Sequence, residues 1–110
     1  MNKPKNDLLQ GTLAILVLKA LARGSMHGYG ITLPIRLVSR EFLWIGEGSL
    51  YPALHRMDQN GWVRLEWGTT GNNRRARYDR LTSVGRKQLT EEEKNGQRLT
   101  QGVAHVLQFA

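Results

Sequence analysis

Residues 46–61 read Gly46-Glu-Gly-Ser-Leu-Tyr-Pro-Ala-Leu-His-Arg-Met-Asp-Gln-Asn-Gly61, and this stretch decides the fold. Its apolar residues recur at the i, i+3, i+4, i+7 spacing of one helix face, so they are predicted to pack inward. These inward residues are Leu50, Ala53, Leu54 and Met57. Ser49 is the expected N-cap, because its hydroxyl can accept hydrogen bonds from free backbone amides. Asn60-Gly61 is expected to end the helix, since glycine readily adopts the left-handed conformation found there.

The opposite face of this helix is polar and carries no carboxylate. Its outward residues are Ser49, Tyr51, Pro52, His55, Arg56 and Gln59. Hydroxyls, planar donors and a cation on an exposed helix suit the base edges and phosphates of a DNA major groove. The same pattern also fits an ordinary amphipathic helix on a protein surface. The neighbouring segments have to distinguish these two interpretations.

The segment after this helix predicts a basic β-hairpin. Apolar and charged residues alternate over residues 62–68, as in a half-buried strand, and residues 74–81 return as its partner. Residues 69–73 between them have the composition of a turn. Four residues near the tip are candidate contacts for phosphate oxygens or a minor groove: Asn73, Arg74, Arg75 and Arg77. A solvated charged strand is the alternative, although neighbouring arginines repel one another without an anion to share.

Composition favours an anionic partner. The chain has 110 residues, with 16 Lys and Arg against 9 Asp and Glu, a formal net charge of +7 and a pI near 10.4. Nucleic acid is the first candidate partner and an anionic membrane surface is the second. The lack of cysteine excludes disulfides, thiol catalysis and thiolate metal sites. No apolar run approaches the ~20 residues of a membrane span and residues 1–7 do not resemble a signal peptide, so we expect a cytoplasmic protein.

Two further helices are predicted before residue 46. The first covers residues 8–22 and is apolar on nearly all sides, so it needs cover from its own domain and from a second subunit. The second is expected to open at residues 26–30 and run to Arg40, with a kink or a late start at Pro34. Its expected inward residues are Tyr29, Ile31, Ile35 and Val38. Residues 42–45 predict a short strand. The tryptophans are expected in the core: Trp44, Trp62 and Trp67.

Thr82 is expected to cap a long last helix that runs towards Ala110. A heptad row along this helix is apolar throughout only in its second half, at Leu99, Val103 and Val106. A long helix with one apolar face, projecting beyond a compact domain, favours pairing with another helix. Glycine weakens a helix by about 1 kcal/mol relative to alanine, so a break is expected near residues 94–96.

Six segments between residues 8 and 89 carry a family resemblance. They are Leu-Leu-Gln-Gly-Thr-Leu (8–13), His-Gly-Tyr-Gly-Ile (27–31), Glu-Gly-Ser-Leu-Tyr-Pro-Ala-Leu-His-Arg-Met (47–57), Gly-Trp-Val (61–63), Asn-Asn-Arg-Arg-Ala-Arg-Tyr (72–78) and Leu-Thr-Ser-Val-Gly-Arg-Lys-Gln-Leu (81–89). The third and fifth segments together are a specific pairing. In these segments and in the order of its elements, the chain resembles the PadR family of bacterial transcriptional regulators, in its short subfamily with one C-terminal helix.

The resemblance implies a mainly α fold with a small β-hairpin. A winged helix-turn-helix domain is expected over residues 1–81, with its N-terminal helix (7–23) also at a dimer interface, and a C-terminal dimerisation helix over residues 82–110. The resemblance also implies a homodimeric repressor that binds a palindromic operator in double-stranded DNA. A small-molecule effector at the dimer interface, or another signal, would release the operator. Gly96 stands where relatives often carry an aromatic residue, which argues against a stacked planar effector.

Two sets of site residues follow from the exposed helix face, the hairpin and the resemblance. The residues expected to contact DNA are Ser49, Tyr51, Pro52, His55, Arg56, Asn73, Arg74, Arg75 and Arg77. The residues expected at the dimer interface are Leu8, Ile15, Leu18, Leu99, Val103 and Val106.

No residue pattern indicates catalysis, a metal or a cofactor. His27, His55 and His105 lie far apart in the sequence, and none has metal-ligand spacing to a second ligand. Ser49 lacks a nucleophile-elbow context, and no glycine-rich phosphate loop is present. The alternative to an operator-specific regulator is a winged-helix module that binds RNA or another protein, because a fold does not fix a function.

Overall fold

The computed structural model describes residues 7–109, with side chains from residue 11 onward. Within this range the fold is mainly helical with one two-stranded antiparallel hairpin, as predicted. The elements in chain order are α1 (Asp7–Leu21), α2 (Gly28–Val38), α3 (Glu47–Gln59), β1 (Val63–Thr69), β2 (Arg75–Leu81) and α4 (Ser83–Phe109).

The inward face of α3 lies in the hydrophobic core. All four residues predicted to pack inward are at most 3% exposed, which confirms the helical pattern: Leu50, Ala53, Leu54 and Met57. They belong to one cluster with Leu18, Leu21 and Ile31, which are fully buried on α1 and α2. Burying one such leucine contributes about 1.5–3 kcal/mol. The inward face therefore holds α3 in place and leaves its outward face free for other contacts.

The start of α3 differs from the prediction. The helix begins at Glu47, and Gly46 is its N-cap, without a side-chain capping hydrogen bond. The amide of Leu50 donates to the Gly46 carbonyl at 2.9 Å, so the first turn closes before Ser49 can act as a cap. The assignment of Ser49 as N-cap is therefore wrong. Pro52 consequently lies in the second turn, where its missing N–H removes one backbone hydrogen bond.

Helix α2 runs without interruption through Pro34. Ile31 is buried and Ile35 is partly buried against the core, as predicted. Tyr29 is 64% exposed and Val38 is 80% exposed, so the prediction that they face inward is wrong. Tyr29 is two positions from Ile31, which is about 200° around a helix, and Val38 is the last helical residue.

Met26, rather than residues 42–45, pairs with the open edge of the hairpin. Its amide donates to the Asp79 carbonyl at 3.1 Å, and the Asp79 amide donates back to the Met26 carbonyl at 2.9 Å. Residues 42–45 form no strand, so that prediction is wrong. The Leu43 amide donates to the Ser39 hydroxyl at 2.9 Å and is therefore not available for pairing with a strand.

The junction between the hairpin and α4 is closely packed. The Thr82 hydroxyl accepts a hydrogen bond from the Gly85 amide at 3.0 Å, which confirms Thr82 as the helix cap. The Trp62 carbonyl accepts from the amide of Thr82 at 3.0 Å, and the Thr82 hydroxyl shares its single proton between the carbonyls of Gly61 and Trp62, at 2.6 and 3.0 Å. A Cβ atom on Gly85 would overlap the Trp62 carbonyl oxygen and would lie 2.7 Å from Leu81 Cδ1. Glycine at position 85 thus allows α4 to approach the end of α3 and the hairpin.

Helix α4 is continuous over 27 residues, so the expected break near residues 94–96 is wrong. Its first half packs on the domain, where Leu89 is buried and Gly96 lies beside Ile15 of α1. A Cβ atom at position 96 would stand 3.4 Å from Ile15 Cδ1. Side chains 97–109 are all exposed in the protomer. At 1.5 Å per residue the whole helix is about 40 Å long, which accounts for the elongated 56 × 29 × 28 Å shape of the described chain.

Candidate nucleic-acid interface

The outward face of α3 is exposed and unoccupied within the protomer. The five residues predicted to contact DNA from this helix are all exposed: Ser49, Tyr51, Pro52, His55 and Arg56. Among the described residues, neither His55 nor Arg56 has a side-chain hydrogen bond or ion pair. Their donors are therefore available to an external partner. The carboxylates of this helix lie at its ends, at Glu47 and Asp58.

The tip of the hairpin has a defined turn. The amide of Asn73 donates to the Thr70 carbonyl at 2.9 Å, and the amide of Thr70 donates to the Arg74 carbonyl at 2.8 Å. Asn73 itself has φ +62°, a left-handed conformation that asparagine tolerates better than most residues. This is the pattern of a type I turn followed by a left-handed residue. It presents Asn73 and Arg74, both exposed, at the end of the hairpin.

Arg75 lies over the ring of an exposed tryptophan. Its guanidinium carbon stands 4.4 Å from the centroid of the Trp67 ring. Trp67 is 57% exposed and Trp44 is 67% exposed, so their predicted place in the core is wrong. Trp62 is half-buried against the core, as expected of a core tryptophan at the edge of the domain. An arginine stacked on a ring loses little further freedom on binding an anion, because its direction is already restricted.

Arg77 is paired with a buried carboxylate that sequence reasoning missed. Its Nη2 atom lies 3.4 Å from Oδ1 of Asp79, whose side chain is 2% exposed, whereas that of Arg77 is 33% exposed. Burial raises the pKa of Asp79 above its ordinary value of 3.8, and the Arg77 guanidinium partly offsets this rise. The alternation of β2 was the available signal, because residue 79 shares a strand face with the inward Leu81.

A polar cleft separates the wing, which we define as residues 63–81, from the start of α3. It has a volume of about 310 Å³. Tyr51 of α3 and Arg77 of β2 both line it, together with Thr70, Glu47 and His27. The structure thus brings one predicted helix residue and one predicted wing residue to the same cleft. Ser49, His55 and Arg56 lie on the exposed helix face outside the cleft lining, and Asn73, Arg74 and Arg75 lie at the wing tip.

The predicted dimer residues fall into three groups. Leu99, Val103 and Val106 are 43–67% exposed along α4, and Ile15 is partly buried beside Gly96. Leu18 is fully buried inside the protomer, so its assignment to a dimer interface is wrong. This side chain belongs to the hydrophobic core of the protomer, which leaves it no surface for a partner. Leu8 lies outside the residues whose side chains are described.

The described part of the chain holds neither a membrane-spanning helix nor a cluster of metal ligands. None of its helices is long and apolar enough to cross a membrane. Residues 7–109 also contain no group of three or more His, Asp or Glu side chains placed to hold a metal ion.

Comparison with known proteins agrees with the geometry. Residues 17–91 match the model of the transcriptional regulator PadR-like family. A PadR family transcriptional regulator from Eggerthella lenta is 31% identical, with a TM-score of 0.73 over 92% of this chain and 86% of that one. A transcriptional regulator from Clostridium thermocellum is 29% identical, with a TM-score of 0.77 over 91% of this chain and 96% of that one.

A longer relative matches most of the chain. A 37.1 kDa protein in transposon TN4556 of Streptomyces fradiae is 42% identical over 87 residues, which are 78% of this chain but 23% of that protein. The family match spans more than half of the chain and includes α2, α3 and the wing. This chain therefore belongs to the PadR-like family of transcriptional regulators.

Proposed function

We propose that this PadR-like regulator is a homodimeric repressor that binds a palindromic operator, with α3 in the major groove and the wing on the adjacent backbone. The observation that carries this proposal is the outward face of α3, where His55 and Arg56 are exposed and have no side-chain partner among the described residues, in a chain that also carries an arginine-rich wing. An exposed helix is narrow enough for the major groove, and a recognition helix places side chains such as Arg56 against base edges. The wing arginines supply contacts to phosphate, which carry affinity rather than sequence preference.

Two copies are proposed because α4 leaves an apolar face uncovered. Five large apolar side chains of its second half are 43–93% exposed in the protomer: Leu99, Val103, Val106, Leu107 and Phe109. A contiguous apolar row on a projecting helix favours association, since a partner helix removes it from water. A two-fold axis along this contact would give two α3 helices. Helices that enter successive major grooves lie about 34–36 Å apart, which calls for an inverted repeat.

An effector would act from the groove between α1 and α4. This groove has a volume of about 530 Å³ and is lined by Thr12, Ile15, Gly96 and Leu99, among others. It adjoins the residues proposed for the dimer contact, so a small molecule held there would change the angle between two protomers and the spacing of their α3 helices. Gly96 leaves room in the groove but offers no ring for stacking. We therefore propose an effector held by its apolar surface rather than between aromatic rings.

The proposed function is tested by selecting duplexes from a random library with the purified protein and measuring the molecular mass of the complex. The expected result is an enriched inverted repeat that binds two protomers per duplex, with an affinity that falls steeply with salt. Log K should fall against log salt with a slope of roughly −5 to −7 if each subunit neutralises three or four phosphates. A monomer that prefers structured RNA of matched length, or that enriches no DNA sequence, would support the RNA- or protein-binding alternative instead.

A further inference from the structure

Asp79 is a buried charge on the strand that carries the wing arginines. It is 1% exposed, and among the described residues it is the one charged residue that is buried in the core. Burying a carboxylate costs free energy that one long ion pair only partly returns. Its pKa is accordingly raised by burial. Because a buried carboxylate at this position lowers the stability of the fold, we expect Asp79 to contribute to function.

Asp79 connects the wing to the body of the domain. Its backbone exchanges two hydrogen bonds with Met26, at 2.9 and 3.1 Å, which fastens the wing to the segment between α1 and α2. Its side chain accepts a hydrogen bond from Arg77 at 3.4 Å on the same strand face. The position of the Arg77 guanidinium is therefore set from the body of the domain and not only by the hairpin.

Arg77 differs in this respect from Arg74 and Arg75 at the wing tip. Arg74 is exposed at the tip, and Arg75 rests on Trp67. Arg77 instead lines the cleft between the wing and α3, opposite Tyr51. A guanidinium has five N–H donors, so the contact to Asp79 leaves donors for an anion. One third of the Arg77 side chain is open to solvent.

We propose that Asp79 is a positioning residue for DNA binding, which holds the Arg77 guanidinium at the mouth of this cleft, where Arg77 contacts a phosphate of the duplex. This inference rests on the proposed function. The proposed effect of Asp79 on DNA affinity is favourable although Asp79 is acidic and DNA is an anion. Simple electrostatics predicts that removing the carboxylate tightens binding, whereas positioning predicts that its removal weakens binding.

The test is a double-mutant cycle on the full chain. The Kd of each variant for a mixed-sequence 30-base-pair duplex is measured by fluorescence anisotropy at fixed salt. Asp79→Asn should raise Kd about five- to tenfold when Arg77 is present. In the Arg77→Ala background the same substitution should change Kd by less than about twofold. Arg75→Ala is the matched control, because Arg75 has no carboxylate partner among the described residues. In that background Asp79→Asn should keep its full effect.

Three results would overturn the inference while leaving the proposed function intact. Binding of the duplex by Asp79→Asn as tightly as by the wild type, or more tightly, would make Asp79 only a repelling charge. An equal loss in the presence and absence of Arg77 would show a general structural role. If thermal melting shows that Asp79→Asn is unfolded, the cycle is repeated with Asp79→Leu, whose side chain has the same number and branching of heavy atoms. Unfolding of both variants would assign Asp79 to the fold alone. A wild-type chain that binds no duplex would refute the proposed function and this inference together.

Discussion

Substitution of Gly85 by alanine gives the sharpest prediction about the fold. On an open helix this change stabilises by about 1 kcal/mol. Here the new Cβ atom would overlap the Trp62 carbonyl oxygen, which is backbone and cannot rotate away. Helix α4 would have to move, and the two hydrogen bonds from Thr82 to that carbonyl, each 3.0 Å long, would lengthen or break.

The expected magnitude follows from these contacts. Two weakened hydrogen bonds cost about 1–3 kcal/mol, and forcing a methyl group into a filled site costs about 1–3 kcal/mol. After the helix gain is subtracted, Gly85→Ala should destabilise by about 1–5 kcal/mol, or lower Tm by about 4 °C or more. Thermal melting at one protomer concentration measures this, because association would otherwise shift Tm.

Gly48→Ala is the matched control for this substitution. Gly48 is also helical, but nothing lies within 4 Å of the Cβ atom that would be added there. This variant should keep the wild-type Tm or gain up to about 1 kcal/mol of stability. If Gly85→Ala melted at or above the wild-type temperature, the close approach of α4 to the Trp62 carbonyl would be refuted.

Three further predictions concern binding, assembly and pH. Arg56→Ala should relax base preference in a duplex selection, whereas Arg75→Ala should weaken all sequences alike and reduce the salt slope by about 1; equal losses on selected and random DNA from both variants would contradict these roles. Val103→Glu should give a monomer by light scattering, and a stable dimer would refute the α4 contact. The raised pKa of Asp79 means that its contribution to stability is greatest below pH 3.8 and is lost as pH rises through the folded-state pKa. Asp79→Asn should therefore gain Tm relative to the wild type between pH 3.8 and pH 7, and parallel pH profiles of the two chains would contradict this.

The parts of the fold that depend on local spacing could be predicted from the sequence. The inward face of α3 follows from its helical spacing, and all four residues are buried. The hairpin follows from alternation on either side of a turn, and its strands begin within one residue of the predicted positions. Thr82 could be recognised as a cap because its contact to Gly85 lies within one turn.

The parts of the fold that depend on contacts between distant residues could not be predicted from the sequence. Trp67 looked like a core residue because large aromatic side chains are usually buried, but a two-stranded wing has no second layer to cover it. The edge of β2 pairs with Met26, and no local pattern marks a single residue as a strand partner. Asp79 is buried at the point where β2 pairs with Met26, which lies far from it in the sequence, so its role becomes visible in three dimensions. Ser49 had the chemistry of a cap, but the helix begins two residues earlier.

Hydroxyl-radical footprinting of a duplex selected by the protein tests the central claim most directly. Two subunits that each place α3 in a major groove predict two equivalent protected regions, related by the two-fold symmetry of the sequence and about one helical turn apart. Protection beside them should come from the wing and should weaken in Arg77→Ala. A single protected region, or protection without symmetry, would contradict the proposed dimer on an inverted repeat.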